Sequence, residues 1–267
     1  MRTLLLSAPS ISIPRATEIT IHLVTLAVLL IVFCATLIRS AFGFGEALIA
    51  VPLLAFFVPL RVAAPLAVLV SITIAGIVVA QDWNKIHLYS TGWLVLPTLF
   101  GIPLGLLLLT SSHQRTVKAA LAALIIAFSA YSLSGTTPLE LRRDHRAWLL
   151  LFGFIAGVLG GAYGMNGPPL VIYGSMRRWS APHFRATLQA YFLPASILGM
   201  TGYWLSGLWV HAVTHYYLLA LPVMLPAVFL GRVINHRLRT EVFMKYVYLG
   251  LGIIGAILLY QATTGRI

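Results

Sequence analysis

Glu46 is the costliest residue in this sequence. It lies in SAFGFGEALIAVPLL, an apolar segment broken by Gly43, Gly45 and Pro52. A carboxylate at bilayer depth costs about 2.5–3.5 kcal/mol on insertion scales, so it calls for a role or a partner. Two roles fit: proton or substrate coupling, or an ion pair at the interface with a base such as Arg61. A second broken stretch, GGAYGMNGPP, holds Asn166 among Gly160, Gly161, Gly164, Gly167, Pro168 and Pro169. Glycine opens backbone angles closed to other residues, and proline removes amide donors and disfavours helix in the residue before it. Asn166 can cap the half-helix that follows, or join its N-terminal amides in holding an oxyanion. Arg185 and Gln189 are four apart and share a helix face. Arg185 can draw in an anion, pair with Glu46 or mark the cytoplasmic interface; Gln189 lies deeper, facing either packing or a polar pathway.

These residues require a membrane fold to position them. Of the 267 residues, 60% are hydrophobic and 9% charged, and the mean hydropathy is +0.94. Soluble domains carry about 25% charged residues. The expectation is an all-α, polytopic integral membrane protein in the lipid bilayer. Irregular backbone at membrane depth is tolerated only where it is buried in protein or lines a wet cavity. Each broken stretch is therefore a candidate binding site, and the competing reading is a kink or a close crossing through small residues.

Apolar runs cover Ile19–Ile38, Ala41–Leu60 (broken), Val62–Ala80, Leu88–Leu109 and Val117–Leu133. After a polar stretch come Ala147–Leu159, the second break, Leu170–Met176, Ala186–Trp209, Tyr216–Val233 and Val242–Tyr260. The halves match in order: Phe42-Gly43 with Tyr163-Gly164, Arg61–Ala67 with His183–Gln189, Leu96-Pro97 with Leu221-Pro222, and Lys118 with Lys245. The offset drifts from 121 (Phe42 to Tyr163) to 127 (Lys118 to Lys245). The expected organisation is an N-terminal segment 1–18, a first repeat 19–134, a linker 135–146 and a second repeat 147–262. Broken helices at matching places in a duplicated chain point to a transporter with its site where the repeats meet.

Charge sets the span count. If each piece after a break is re-entrant, or completes one broken span, each half crosses four times with both termini outside. Arg39, Arg61, Arg115, Lys118, Arg177, Arg178, Arg185, Arg232, Arg237, Arg239 and Lys245 are then cytoplasmic, eleven of the 18 basic residues. Full spanning of every segment reverses the bias and violates the positive-inside rule. The expectation is eight transmembrane helices, two parallel four-span repeats with broken or re-entrant helices.

Other chemistries find little support. The net charge of +12 sits mostly between apolar runs and orients loops; no basic-aromatic patch suggests nucleic acid. Cys34, the only cysteine, forms no intrachain disulfide and reads as packing. His211 and His215 lack an accompanying Asp, Glu or Cys, so no metal site is expected. There is no phosphate-loop motif, and Ser71, Ser129 and Ser196 lack an acid/His pattern. Neither a cofactor nor an enzyme activity is expected.

SAFGFGEALIAVPLL resembles the first signature of the TauE/SafE (sulfite exporter-like, DUF81) permeases. GVLGGAYGMNGPPLVIYG with FRATLQAYF resembles the second. The resemblance implies a multi-pass secondary transporter of the inner membrane moving small sulfur-containing or organic anions such as sulfite or sulfonates. It implies substrate-site candidates at Gly43, Gly45, Glu46 and Pro52, and at Gly161, Gly164, Asn166, Gly167, Pro168, Pro169, Arg185 and Gln189. GFGEA departs from the fuller GxGGG-like first copy of many members, placing a carboxylate beside the anion site. Export is the expected direction, Glu46 suggests protons as coupling ion, and a homo-oligomer is compatible with the pattern. The alternative class is a non-transporting membrane scaffold or accessory subunit.

Overall fold

The computed structural model describes residues 15–82, 88–111, 113–135, 141, 146–178, 181–235 and 240–264. Residues 1–14 and most of the expected linker lie outside them. The described residues form ten helices and no strand: α1 (Arg15–Phe42), α2 (Glu46–Leu54), α3 (Leu60–Asp82), α4 (Leu88–Thr110), α5 (Gln114–Leu133), α6 (Arg146–Tyr163), α7 (Gly167–Met176), α8 (Ala181–Leu205), α9 (His211–Asn235) and α10 (Thr240–Thr264).

The apolar runs become these helices, with three differences. α1 continues through Arg39 to Phe42 instead of ending at Ile38. α6 runs to Tyr163, so Gly160 and Gly161 are helical and the second break is only Gly164–Asn166. His211–His215 is the first turn of α9 and not a break. In each case a backbone that must pair its own polar groups in an apolar setting extends the helix past a polar or small residue.

Among the described residues, six helices are long and apolar enough to cross a membrane, in α1, α3, α4, α5, α6 and α9. Large apolar side chains such as Leu23, Leu26, Phe100, Leu107 and Phe229 face outward, as a lipid-facing surface requires. α3 is the inner helix: 72% of its span is buried, against 28% for α9.

Helices pair through small residues, because lipid gives no hydrophobic reward for helix association and close backbone packing must supply it. α4 packs along α6, α1 along α9, α5 along α10, and α3 against α8. In the α4–α6 crossing a Cβ on Gly105 would lie 2.1 Å from the Val158 carbonyl oxygen. A Cβ on Gly161 would lie 2.3 Å from that of Ile102. Gly231 meets α1 in the same way, 2.6 Å from the Leu37 carbonyl oxygen. Gly161 is thus a crossing glycine.

Candidate functional site

Left-handed glycines make both breaks. Gly43 (φ 86°) ends α1, and its N–H donates to the Arg39 carbonyl at 2.6 Å. Gly45 (φ 96°) caps α2. Gly164 (φ 68°) ends α6, its N–H donating to the Gly160 carbonyl at 2.8 Å. An L side chain is strained at such angles.

The first break lies level with the middle of α3. Ser71, which accepts from Arg39 in the last turn of α1, is the midpoint of α3 (Leu60–Asp82), about 16 Å from either end at 1.5 Å per residue. α2, with nine residues, covers about 13 Å and leads from the break toward the start of α3. α7, with ten residues, leads to the start of α8 in the same way.

Arg39 is the centre of the site. It is 3% exposed and forms an ion pair with Glu46, itself 1% exposed. Arg39 Nη1 also donates to Ser71 Oγ at 2.6 Å, and Nη2 to Gln189 Oε1 at 3.2 Å. Its guanidinium lies over the Phe192 ring at 5.0 Å. Gln189 Nε2 donates to the Gly43 carbonyl at 2.9 Å, and Ser196 Oγ reaches Ser71 at 3.3 Å. α1, α2, α3 and α8 are thus tied at one point. Glu46 Oε1 and Arg39 Nε have no partner although both are buried.

The two broken segments meet here. A cavity of about 20 Å³, enough for about one water, is walled by Arg39, Gly45, Glu46 and Ser71 on one side and by Gly164, Asn166, Gly167 and Pro168 on the other. The N-termini of both half-helices border it. First-turn amides lack partners within their helix and carry the positive end of the helix dipole. The halves differ in donors. α2 offers the amides of Glu46, Ala47 and Leu48, whereas Pro168 and Pro169 leave α7 with that of Gly167.

Several expectations change. Arg39, counted above among cytoplasmic charges, is buried in the site; in the expected eight-span arrangement, moving it would leave ten cytoplasmic basic residues against seven. Glu46 pairs with Arg39 and not with Arg61, which donates to the Thr110 and Ser111 carbonyls. Asn166 makes no side-chain capping bond to α7. It packs on Gly160, where a Cβ would sit 2.3 Å from Nδ2, and meets the Tyr191 hydroxyl, which also bonds Thr98 Oγ1 at 2.8 Å.

Of the candidate residues, Gly45, Glu46, Gly164, Asn166, Gly167 and Pro168 line the cavity. Gly43 and Gln189 join through the Arg39 network. Gly161 belongs to the α4 crossing. Pro52 and Pro169 are buried within α2 and α7 and are not among the cavity walls. Arg185 lies on α8 one turn before Gln189, with its side chain outside the described residues. Sequence reasoning missed Arg39 and Ser71. The signal was available: a lone Arg seven residues before a lone Glu, both in apolar surroundings, are each other's natural partners.

Helices long and apolar enough to cross a membrane, two of them ending in glycine breaks around a buried ionic site, define a polytopic membrane protein with an internal polar site. Residues 28–259 match the family model described as "Sulfite exporter TauE/SafE", and the chain belongs to that family. The family is one of membrane transporters and not of enzymes. No curated protein and no solved structure matches.

Proposed function

We propose that this chain is a secondary permease for small sulfur-containing or organic anions, sulfite and sulfonates foremost, that it resides in the inner membrane, and that it exports them. The observation carrying this reading is a buried guanidinium at half depth, where two broken helices turn their N-termini toward one cavity. Arg39 supplies the charge, α2 its amides, and Ser71, Gln189 and Asn166 neutral hydrogen bonds. Arginine suits an oxyanion because its planar fork donates two parallel bonds. Half-helix N-termini are the general means by which transporters hold anionic groups.

The eight-span, two-repeat organisation belongs to the same proposal. Adding α8 and α10, each 25 residues long, to the six apolar spans makes eight, and α2 and α7 complete the two broken ones. α1–α5 and α6–α10 share the order long, half, long, long, long. The packing of α1 on α9 corresponds to that of α6 on α4. Arg39 and Gly160 hold equivalent places, each accepting from its left-handed glycine. A carrier rocks its repeats about such a site.

The test is efflux from proteoliposomes loaded with labelled sulfite, sulfoacetate or a small carboxylate. At least one anion should leave tenfold faster than from protein-free vesicles, and R39Q should remove that excess. Absence of protein-dependent efflux for every anion tried would favour the scaffold reading.

A further inference from the structure

We propose that Glu46 is the resident anion of this site: its carboxylate holds Arg39 until a monovalent oxyanion replaces it, and the displaced carboxyl carries a proton, so one anion and one proton cross together. The inference rests on the permease reading above and deepens it by assigning the anchor, the competitor and the charge of the cargo.

Space gives the first argument. The cavity holds about one water, too little for an oxyanion beside the Arg39–Glu46 pair. The Glu46 side chain is part of its wall, at the first position of α2 directly after left-handed Gly45. An added Cβ at Gly45 meets nothing within 4 Å, so the hinge next to Glu46 is not packed shut. The pair is also incompletely satisfied, with Glu46 Oε1 and Arg39 Nε buried and unpartnered. An incoming oxyanion with three oxygens can satisfy Arg39, the α2 amides and Ser71 together.

Charge gives the second. Arg39 and Glu46 sum to zero. A monovalent anion added to the intact pair leaves one uncompensated negative charge at half depth, which an apolar surrounding opposes strongly. A proton taken up on a Glu46 oxygen from the side to which the site is open restores neutrality. It leaves to the other side with the anion, so export runs on an outward anion gradient that exceeds the opposing proton gradient, and Glu46 returns to Arg39. No other bond forms or breaks. A divalent anion would remain one charge in excess, so the site selects monovalent cargo, with sulfite carried as hydrogensulfite.

No neighbour substitutes for this pair. Arg39 is the only charged side chain among the described residues that acts on Glu46. Of the helices packed on α2, α3 directs Arg61 to the Thr110 and Ser111 carbonyls, and α5 directs Lys118 to Gln261. Tyr173 of α7 packs on Phe152, and Tyr248 of α10 lies edge-on to Phe128.

The experiment uses the full chain in proteoliposomes with labelled methanesulfonate and sulfite, sulfate as the divalent probe, and an internal pH dye. The wild type should move one proton per methanesulfonate, be insensitive to a potassium–valinomycin potential, and move sulfate at least tenfold more slowly. E46Q should bind methanesulfonate at least tenfold more tightly, lose net flux and catalyse only proton-silent anion exchange. R39Q should bind none, with R39Q/E46Q melting cooperatively as the fold control. Wild-type flux that follows the imposed potential or carries no proton overturns the inference while the permease reading stands. So does E46Q that still moves protons. A wild type that moves none of these anions, nor those tested above, overturns the permease reading itself.

Discussion

A guanidinium and a carboxylate held together at half depth stabilise the fold only as a pair. Burying either alone costs several kcal/mol, and removing one partner of such a pair typically costs about 3–5 kcal/mol because the other is stranded. R39Q should therefore lower stability in detergent by about 3 kcal/mol, and R39Q/E46Q should recover most of that loss. A double-mutant cycle of melting transitions checks this; additive losses would mean that the pair is not coupled. Tyr191 is a second point of support, its hydroxyl joining Thr98 to Asn166 across α4, α8 and the second break. Y191F should cost about 1 kcal/mol, the net value of a typical buried hydrogen bond. If Asn166 contacts the cargo, Y191F should also weaken anion binding, measured as a smaller thermal shift with sulfite.

At the scale of elements, the breaks and the crossings both use glycine, for opposite reasons. In the breaks it supplies a left-handed angle; in the crossings it removes a side chain. Gly45 and Gly164 separate these causes. Both have positive φ, but a Cβ at Gly45 meets open space, whereas at Gly164 it would stand 3.0 Å from a Val68 methyl and 3.1 Å from the Ala64 carbonyl oxygen. G45A should cost roughly the 1–2 kcal/mol of left-handed strain, and G164A measurably more. Equal losses would assign both to backbone angle alone. In the α4–α6 crossing, G105V meets backbone that cannot yield. It should cost more than about 3 kcal/mol, beyond the usual overpacking range, and appear as a loss of the monodisperse species in size-exclusion chromatography.

At the scale of the molecule, orientation and repeat parity are one question. With four crossings per repeat, the end of α5 and the end of α7 face opposite sides. In a C34A background, S134C should react with an impermeant maleimide only from outside, and R178C only from the cytoplasmic side. Labelling of both from the same side would reject the parallel four-plus-four arrangement. Cys34 is exposed on α1, so its removal takes no partner from the site. An electroneutral cargo also suits this architecture, because a site that closes at half depth carries no net charge across the apolar layer.

Helix positions, the two breaks and the membrane class were legible in the residues, because each follows from local rules. An apolar run of about 20 residues must be helical in lipid, and glycine-proline clusters must interrupt it. The partner of Glu46 was not legible. Arg39 reads locally as the basic residue that ends a span and marks an interface. It turns inward because α1 continues to Phe42, so that Arg39 in its last turn meets Ser71 at the midpoint of α3, which no local pattern encodes. Likewise the glycines of GGAYGMNGPP look alike in sequence, yet packing divides them: Gly161 against α4, Gly160 against Asn166, and Gly164 as the left-handed stop. The sequence by itself determined where the helices break. Only the tertiary structure decided which charges the breaks bring together, since that contact joins α1, α2, α3 and α8 across 150 residues of chain.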